Sequence, residues 1–389
     1  MKKKILIIAY FFPPYGSVGA FRVSKLVKYF KNFGWDITVI TVDEKYYSSK
    51  ELDYNKVNDI PDDIQVIKTS RLHQFSKFKE EGLYWSKDLY FTIKKLIKFK
   101  EFDYMFYTGG PFMQFSIAPK IKKISNIPYI LDFRDPWLLT PYNNSNLRKK
   151  VAGILEPYAI RNAELVLNVT DDATNLYRKY YPMEDKNKFI TIPNGYDKDD
   201  FKDIEDINIE KGNLKIVYSG KFGGFRNPIP FLNSIINYNN KNKKKITFIH
   251  IGSKEQEIED FIQSNPCISK YMIQVGFVPY KVALAYIKAS DIGLIISGGH
   301  PYEPTTKIYD YIALNKKILC INNIEYGYLY ETLKEYSNST QCKNLENEIN
   351  MCLNSIKGID EATSDINNEL FDREVIFRKL DNMLLNKGE

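Results

Sequence analysis

The sequence predicts an α/β protein built from two Rossmann-like, parallel-sheet domains in tandem, and three observations carry that reading. The chain has 389 residues, beyond the size at which a single hydrophobic core stops growing. A β-branched or aromatic run, a turn and a segment with apolar residues three and four apart recur along it, the pattern of parallel βα units. The series also starts twice, with a polar, acidic stretch at 194–213 between the two runs.

The first lobe opens on a strand at 4–12. Three lysines before this apolar run imitate a secretory signal, but Pro13-Pro14-Tyr15 stands where a cleavage site needs small residues. Further strands are expected at 36–42, 64–70, 104–108, 128–133, 164–170 and 189–193, with helices at 20–33, 112–125 and 147–162 among them. The second lobe repeats the scheme with strands at 214–219, 246–251, 271–278, 292–297 and 316–321 and helices at 228–238 and 280–289. An amphipathic helix at 367–385 ends the chain. The expected domains are 1–195 and 196–365, followed by a helical tail at 366–389.

A composition of 44% hydrophobic and 26% charged residues excludes the disordered and fibrous classes. The four cysteines show no Cys-x-x-Cys spacing, which argues against a disulfide framework or thiolate metal site and fits a reducing cytosol. No apolar run reaches the ~20 residues that span a bilayer, so a cytoplasmic protein, soluble or peripheral at the inner face of the membrane, is expected. Residues 1–200 carry 32 basic against 24 acidic residues, and 201–389 carry 23 against 24. That excess is either a solvated lysine-rich surface or an attraction to anionic membrane. Nucleic acid is not an expected partner, because no recognition motif accompanies the scattered basic residues.

Chemistry is expected at the carboxyl ends of the strands, where open parallel sheets bind ligands. After the first strand comes Phe12-Pro13-Pro14-Tyr15-Gly16-Ser17-Val18-Gly19, in which Gly16 and Gly19 either serve only the turn or let backbone amides approach a phosphate. Leu131-Asp132-Phe133-Arg134-Asp135-Pro136-Trp137 ends another strand with two carboxylates and a guanidinium; it is an ordering ion-pair network or a substrate contact, with Asp135 the residue past the strand end. In the second lobe, Ser219-Gly220-Lys221-Phe222-Gly223-Gly224-Phe225-Arg226 sets Gly220 beside two cations, Lys221 and Arg226, that suit a diphosphate. The densest cluster is Tyr302-Glu303-Pro304-Thr305-Thr306-Lys307-Ile308-Tyr309-Asp310. Pro304, Thr305 and Thr306 mark a helix start, and Asp310 falls one turn below Thr306 and Lys307, so one ligand is able to place phosphate at the helix start and ribose beside Asp310. The three histidines form no metal triad by spacing, though His300, just before this helix start, is a candidate contact to a donor sugar. Asp197-Lys198-Asp199 resembles a metal-binding Asp-x-Asp but sits in the linker, where it is not read as one.

These motifs, in this order from residue 12 to 310, resemble the retaining glycosyltransferases of family four, of the polysaccharide-biosynthesis type. The resemblance rests on the Phe-Pro-Pro glycine turn, Asp-Phe-Arg-Asp-Pro-Trp at 132–137, Pro-Asn-Gly-Tyr-Asp at 193–197, the Lys221 and Arg226 pair, and Thr-Lys-Ile-Tyr-Asp-Tyr at 306–311. It implies a GT-B fold, two Rossmann-like domains facing a central cleft, with an acceptor lobe first, a nucleotide-sugar lobe second and a last helix crossing back to the first. It implies transfer with retention from a UDP- or GDP-linked sugar to a lipid-linked saccharide of capsule, exopolysaccharide or O-antigen synthesis, with no metal cofactor. Asp310 takes the place of the family's ribose-binding glutamate. Tyr302 stands where the family's first glutamate is frequent, so either Glu303 substitutes after a one-residue shift or that contact is absent. The catalytic set implied is Asp135, Lys221, Arg226 and Glu303, with Gly16, Gly19, Gly220, Phe277, Val278, His300, Thr305, Thr306, Lys307 and Asp310 binding the donor. The family's frequent histidine after the fourth strand is replaced by Thr108-Gly109-Gly110. Two rival readings on the same fold are a UDP-sugar 2-epimerase-type isomerase and a non-catalytic subunit.

Overall fold

The computed structural model describes residues 2–387 except 17, 74–79, 142–144, 210–213, 224–225, 303–304 and 357–367. It divides into two compact units, Met1–Pro193 with Arg373–Glu389, and Asn194–Asp372. The division falls two residues before the expected boundary, and the chain returns to the first unit at Arg373, seven residues after the expected start of the tail.

The first unit runs β1 (Lys4–Ile8), α1 (Val18–Asn32), β2 (Asp36–Val42), β3 (Gln65–Thr69), α2 (Glu81–Leu96), β4 (Tyr104–Thr108), α3 (Ala118–Ser125), β5 (Tyr129–Phe133), α4 (Asn146–Arg161), β6 (Leu165–Asn168), α5 (Asp171–Tyr180) and β7 (Phe189–Thr191). Its parallel sheet has the order β3-β2-β1-β4-β5-β6-β7 among the described residues. Alternation along β1 sends Ile5 and Ile7 into the core shared with α1, and Leu6 and Ile8 into the core under α2, α3 and α4. The first strand ends at Ile8, four residues before the apolar run does, and Ala9, Tyr10 and Phe12 stay buried beyond it.

The second unit runs β8 (Leu214–Ser219), α6 (Ile229–Lys241), β9 (Ile246–Ile251), α7 (Gln256–Ser264), β10 (Met272–Gly276), α8 (Tyr280–Lys288), β11 (Ile292–Ile296), α9 (Lys307–Ala313), β12 (Lys317–Ile321), α10 (Tyr328–Glu335), β13 (Ser339–Cys342) and α11 (Glu346–Ser355). Its parallel sheet has the order β10-β9-β8-β11-β12-β13. The edge strand β13 lies outside the strand series expected from the sequence, since its residues Ser-Thr-Gln-Cys show no apolar run.

The closing helix α12 (Arg373–Asn386) packs on the α1 side of the first unit through Ile376, Phe377, Leu380 and Leu384. Trp35 donates its indole N–H to Asp381 at 2.8 Å, and the Tyr104 hydroxyl donates to the Leu384 carbonyl at 3.1 Å. Both sheets are thus covered on two sides, and each has one place where neighbouring strands lead their helices to opposite faces. That place is β1/β4 in the first unit and β8/β11 in the second.

Candidate active site

In the second unit two of the motifs singled out from sequence meet beyond the carboxyl ends of β8 and β11. Gly220 follows β8 at φ +125°, a conformation that favours glycine, and a Cβ there would stand 3.2 Å from the Lys307 ammonium. Lys307 begins α9 and lies over the Tyr218 ring at 4.5 Å, so the cation of one motif covers the turn of the other. The start of the turn is held by its neighbours. Tyr218 stacks on Phe222 at 4.0 Å and donates its hydroxyl to the Lys221 carbonyl at 2.8 Å, while the Gly220 amide donates to Ile251 at 2.7 Å. Buried His250 is held below its ordinary pKa by burial, so the neutral ring donates Nε2–H to the Gly220 carbonyl at 3.0 Å.

Two amides of this turn have a partner that sequence reasoning missed. Glu255, just before α7, accepts from the Phe222 amide at 2.7 Å and the Gly223 amide at 3.0 Å. The carboxylate therefore takes the place an anion would have on that nest, while Lys221 on the same turn is exposed. Arg226 is half-buried on the same segment, whereas Gly224 and Phe225 lie outside the described residues.

Asp310 is placed by its own helix and its neighbour. The Tyr280 hydroxyl at the start of α8 donates to Asp310 Oδ1 at 2.6 Å, a second contact not read from the sequence. The two tyrosines flanking Asp310 anchor α9. Tyr311 lays its ring on Gly293 of β11, where a Cβ would come within 2.4 Å, and donates to the Val217 and Leu294 carbonyls at 3.2 Å each. Tyr309 shares a 2.7 Å hydrogen bond with Tyr328. The period of the Lys-Ile-Tyr-Asp-Tyr run thus buries Ile308, Tyr309 and Tyr311 and leaves Lys307 and Asp310 together on the other side.

The remaining donor candidates are less tightly tied. Thr306 takes the N-cap place of α9, but its side chain makes no cap hydrogen bond, and Thr305 precedes it half-buried. Glu303 lies outside the described residues, as does Pro304. His300 stacks with Tyr302 at 6.1 Å in the segment after β11. Phe277 is exposed and Val278 half-buried beyond edge strand β10, so they stand two strands away from Gly220. Asp197 caps the turn at Lys198–Phe201 through the Asp199 amide, at 3.0 Å.

In the first unit the glycine turn and the Asp-Phe-Arg-Asp motif meet at β1/β4. Gly16 is packed closely: its amide donates to the Glu51 carbonyl at 2.7 Å, and a Cβ would stand 2.7 Å from that of Asp53. Gly19, in the first turn of α1, lies against Phe11 and the Arg134 guanidinium. Arg134 donates to the Gly19 and Gly109 carbonyls, which ties the turn after β1 to the turn after β4. Asp132 is buried in a fork with Arg22 at 2.9–3.1 Å and accepts from the Thr108 hydroxyl at 3.0 Å. Arg22, which sequence reasoning passed over as one of many helical cations, also donates to the Ile192 and Pro193 carbonyls at 2.9 and 3.0 Å. Asp135 is exposed, one residue beyond Arg134.

The loop carrying Asp135 is held from behind by Glu156 of α4, which is fully buried. Glu156 accepts from the Leu138 amide at 2.8 Å and from the Tyr181 and Tyr177 hydroxyls at 2.7 and 3.3 Å, yet burial pushes its carboxyl up from 4.5 to about 7. The folded state thus favours the protonated form. Its contribution to stability is full below about 4.5 and is lost as pH rises through about 7, a change of about 3 kcal/mol. Unfolding free energies measured from pH 5 to 8 should fall with pH in the native chain relative to Glu156→Gln; a constant difference would contradict this.

Residues 20–200 match the family model described as Glycosyltransferase Family 4. No curated protein matches the chain in sequence. Among solved structures, sucrose-phosphate synthase from Thermosynechococcus elongatus is similar with a TM-score of 0.74 at 13% identity over 99% of each chain. Anabaena HepE in complex with UDP and glucose gives 0.64 at 13% identity, covering 99% of this chain and 100% of that one. The lipopolysaccharide outer core galactosyltransferase WaaB gives 0.65 at 12% identity over 99% of each. The fold is GT-B, that of the solved glycosyltransferase structures named here, and residues 20–200 are similar to Glycosyltransferase Family 4. The family match spans most of the first unit, and the structures named share 13% identity or less with the chain.

Proposed function

We propose that this chain transfers a sugar, with retention of anomeric configuration, from a UDP- or GDP-linked donor held by the second unit to a lipid-linked saccharide held by the first. The observation that carries the reading is the joint placement of Lys307 and Asp310 on one side of α9, with Lys307 over the Gly220 turn. A nucleoside diphosphate fits that spacing, phosphates at the cation and ribose hydroxyls at the carboxylate one turn along. HepE, whose structure holds UDP and glucose, shares the fold that would present such a ligand.

In the proposed reaction the bond between the anomeric carbon and the β-phosphate oxygen breaks, and the acceptor oxygen bonds that carbon on the same face. The acceptor proton passes to the departing phosphate oxygen. Lys307, Lys221 and Arg226 stabilise the negative charge that grows on the diphosphate, as preorganised charge does best in a transition state. Asp135, exposed at the end of β5, is the proposed contact to the acceptor. The role in capsule, exopolysaccharide or O-antigen assembly is supported by the likeness to the lipopolysaccharide galactosyltransferase WaaB.

Asp310→Ala tests the donor site. It should weaken nucleotide-sugar binding by about 1.5–3 kcal/mol, the worth of a charged hydrogen-bond acceptor, without changing the fold. Calorimetry with UDP and GDP reads it, and unchanged affinity would displace the ribose from α9.

A further inference from the structure

The geometry points to the outer side of α2, α3 and α4 as a docking surface for an anionic lipid bilayer. This rests on the lipid-carried acceptor only for its purpose; the binding itself is independent of transfer. All three helices cover the same side of the first sheet, packing into one core through Trp85, Leu89, Ile121, Ala152 and Ile160. Together they hold ten basic residues and three acidic ones, a surplus of seven that equals the formal charge of the entire chain. One of the three acids, Glu156, is buried, and Asp88 accepts from the Ser70 hydroxyl at 2.9 Å.

The helical period sets apolar side chains at the crest of this basic layer. On α4 the buried positions Ala152, Glu156, Ala159 and Ile160 define one side, and Leu147, Ile154 and Tyr158 stand on the opposite one, with Ile154 73% exposed. Phe91 of α2 is opposite Leu89 and Ile93 and is 57% exposed, between Lys87 and Lys94 on the same side. Ile124 of α3 stands out beside Lys120 and Lys123. Where α2 and α3 end, an open cavity of about 850 Å³ is lined by five lysines, Lys94 and Lys98 among them, against the two carboxylates of Glu101 and Asp103, with Ile97, Phe102 and Ile124 as apolar floor.

Apolar crests flanked by cations are what an interfacial helix presents to lipid, the crest entering the headgroup boundary and the cations meeting anionic headgroups. Charge alone would fit any polyanion; the crests select a bilayer. No helix among the described residues is long and apolar enough to cross a membrane, so the attachment is peripheral.

Vesicle flotation of the intact chain, without nucleotide or acceptor, tests this. Binding to phosphatidylcholine vesicles containing phosphatidylglycerol, weakened by salt and absent with phosphatidylcholine alone, is expected. Lys120→Ser with Lys123→Ser should weaken it about 30-fold, at about 1 kcal/mol for each cation, and Ile154→Ser about tenfold. All three positions are exposed, and an unchanged circular dichroism melt confirms folding. Three results would overturn the proposal: no binding to anionic vesicles; full retention by Ile154→Ser, with equal binding to heparin, which marks a polyanion surface; or a dimer in sedimentation that Ile154→Ser dissolves, which marks a second copy as the occupant. Vesicle binding without sugar transfer would sink the proposed reaction and leave the docking surface standing.

Discussion

Lys307→Ala is expected to lower turnover about 100 to 1,000-fold, the cost of deleting one preorganised electrostatic donor. The ammonium is fixed on both sides: it lies 4.5 Å over the Tyr218 ring and against Gly220, and it starts a helix nailed to the sheet by Tyr311. A charge so held need not reorganise as the glycosidic bond breaks, and negative charge grows on the diphosphate at that moment. Turnover should therefore fall more than the donor Michaelis constant rises. Arginine at 307 keeps the charge but crowds the Gly220 turn, so it should rescue only part of the rate. Gly220→Ala should fail in a related way, because its Cβ would press on the same ammonium from a backbone conformation side chains rarely adopt. Steady-state kinetics of folded Lys307→Ala with near-native turnover would remove this cation from the account.

Asp132→Ala is expected to cost about 3–5 kcal/mol of stability, because it leaves the Arg22 guanidinium buried without its carboxylate. The fork at 2.9–3.1 Å joins α1 to β5, and the same guanidinium holds the segment just after β7 at Ile192 and Pro193, so the loss reaches three elements. Replacing both partners together with leucine should recover much of that cost, since the pair must first recover the expense of leaving water. Chemical denaturation of the single and double variants measures both. A single variant as stable as the native chain would mean the fork contributes nothing.

The sequence was legible where a single physical cause dominates. Strands buried on both faces, such as Ile5–Ile8 and Ile292–Ile296, write themselves as apolar runs, and both sheets were readable from them. Edge strand β13 was not, because its four residues are only partly buried and polar chemistry at an edge carries no period. Within the site, Lys307 and Asp310 were readable as neighbours because three positions along a helix share a side. Partners that come from other elements were not: Tyr280 is 30 residues from Asp310, and Glu255 is 33 from Phe222. The acidic residue three positions beyond the glycine after β9 was the one available signal for Glu255. Gly16 stayed open between two roles for a physical reason, since a glycine that admits a phosphate and one that admits the segment at 51–53 read alike.

The central claim, a nucleotide-sugar-dependent transfer, is tested most directly by incubating the chain with UDP- and GDP-sugars labelled in the sugar, in the presence of a membrane extract. The account predicts that label passes into solvent-extractable lipid-linked saccharide as one equivalent of UDP or GDP is released, and that Lys307→Ala abolishes most of it. Binding of nucleotide with no label transferred, or isomerised UDP-sugar formed without any acceptor, would contradict it.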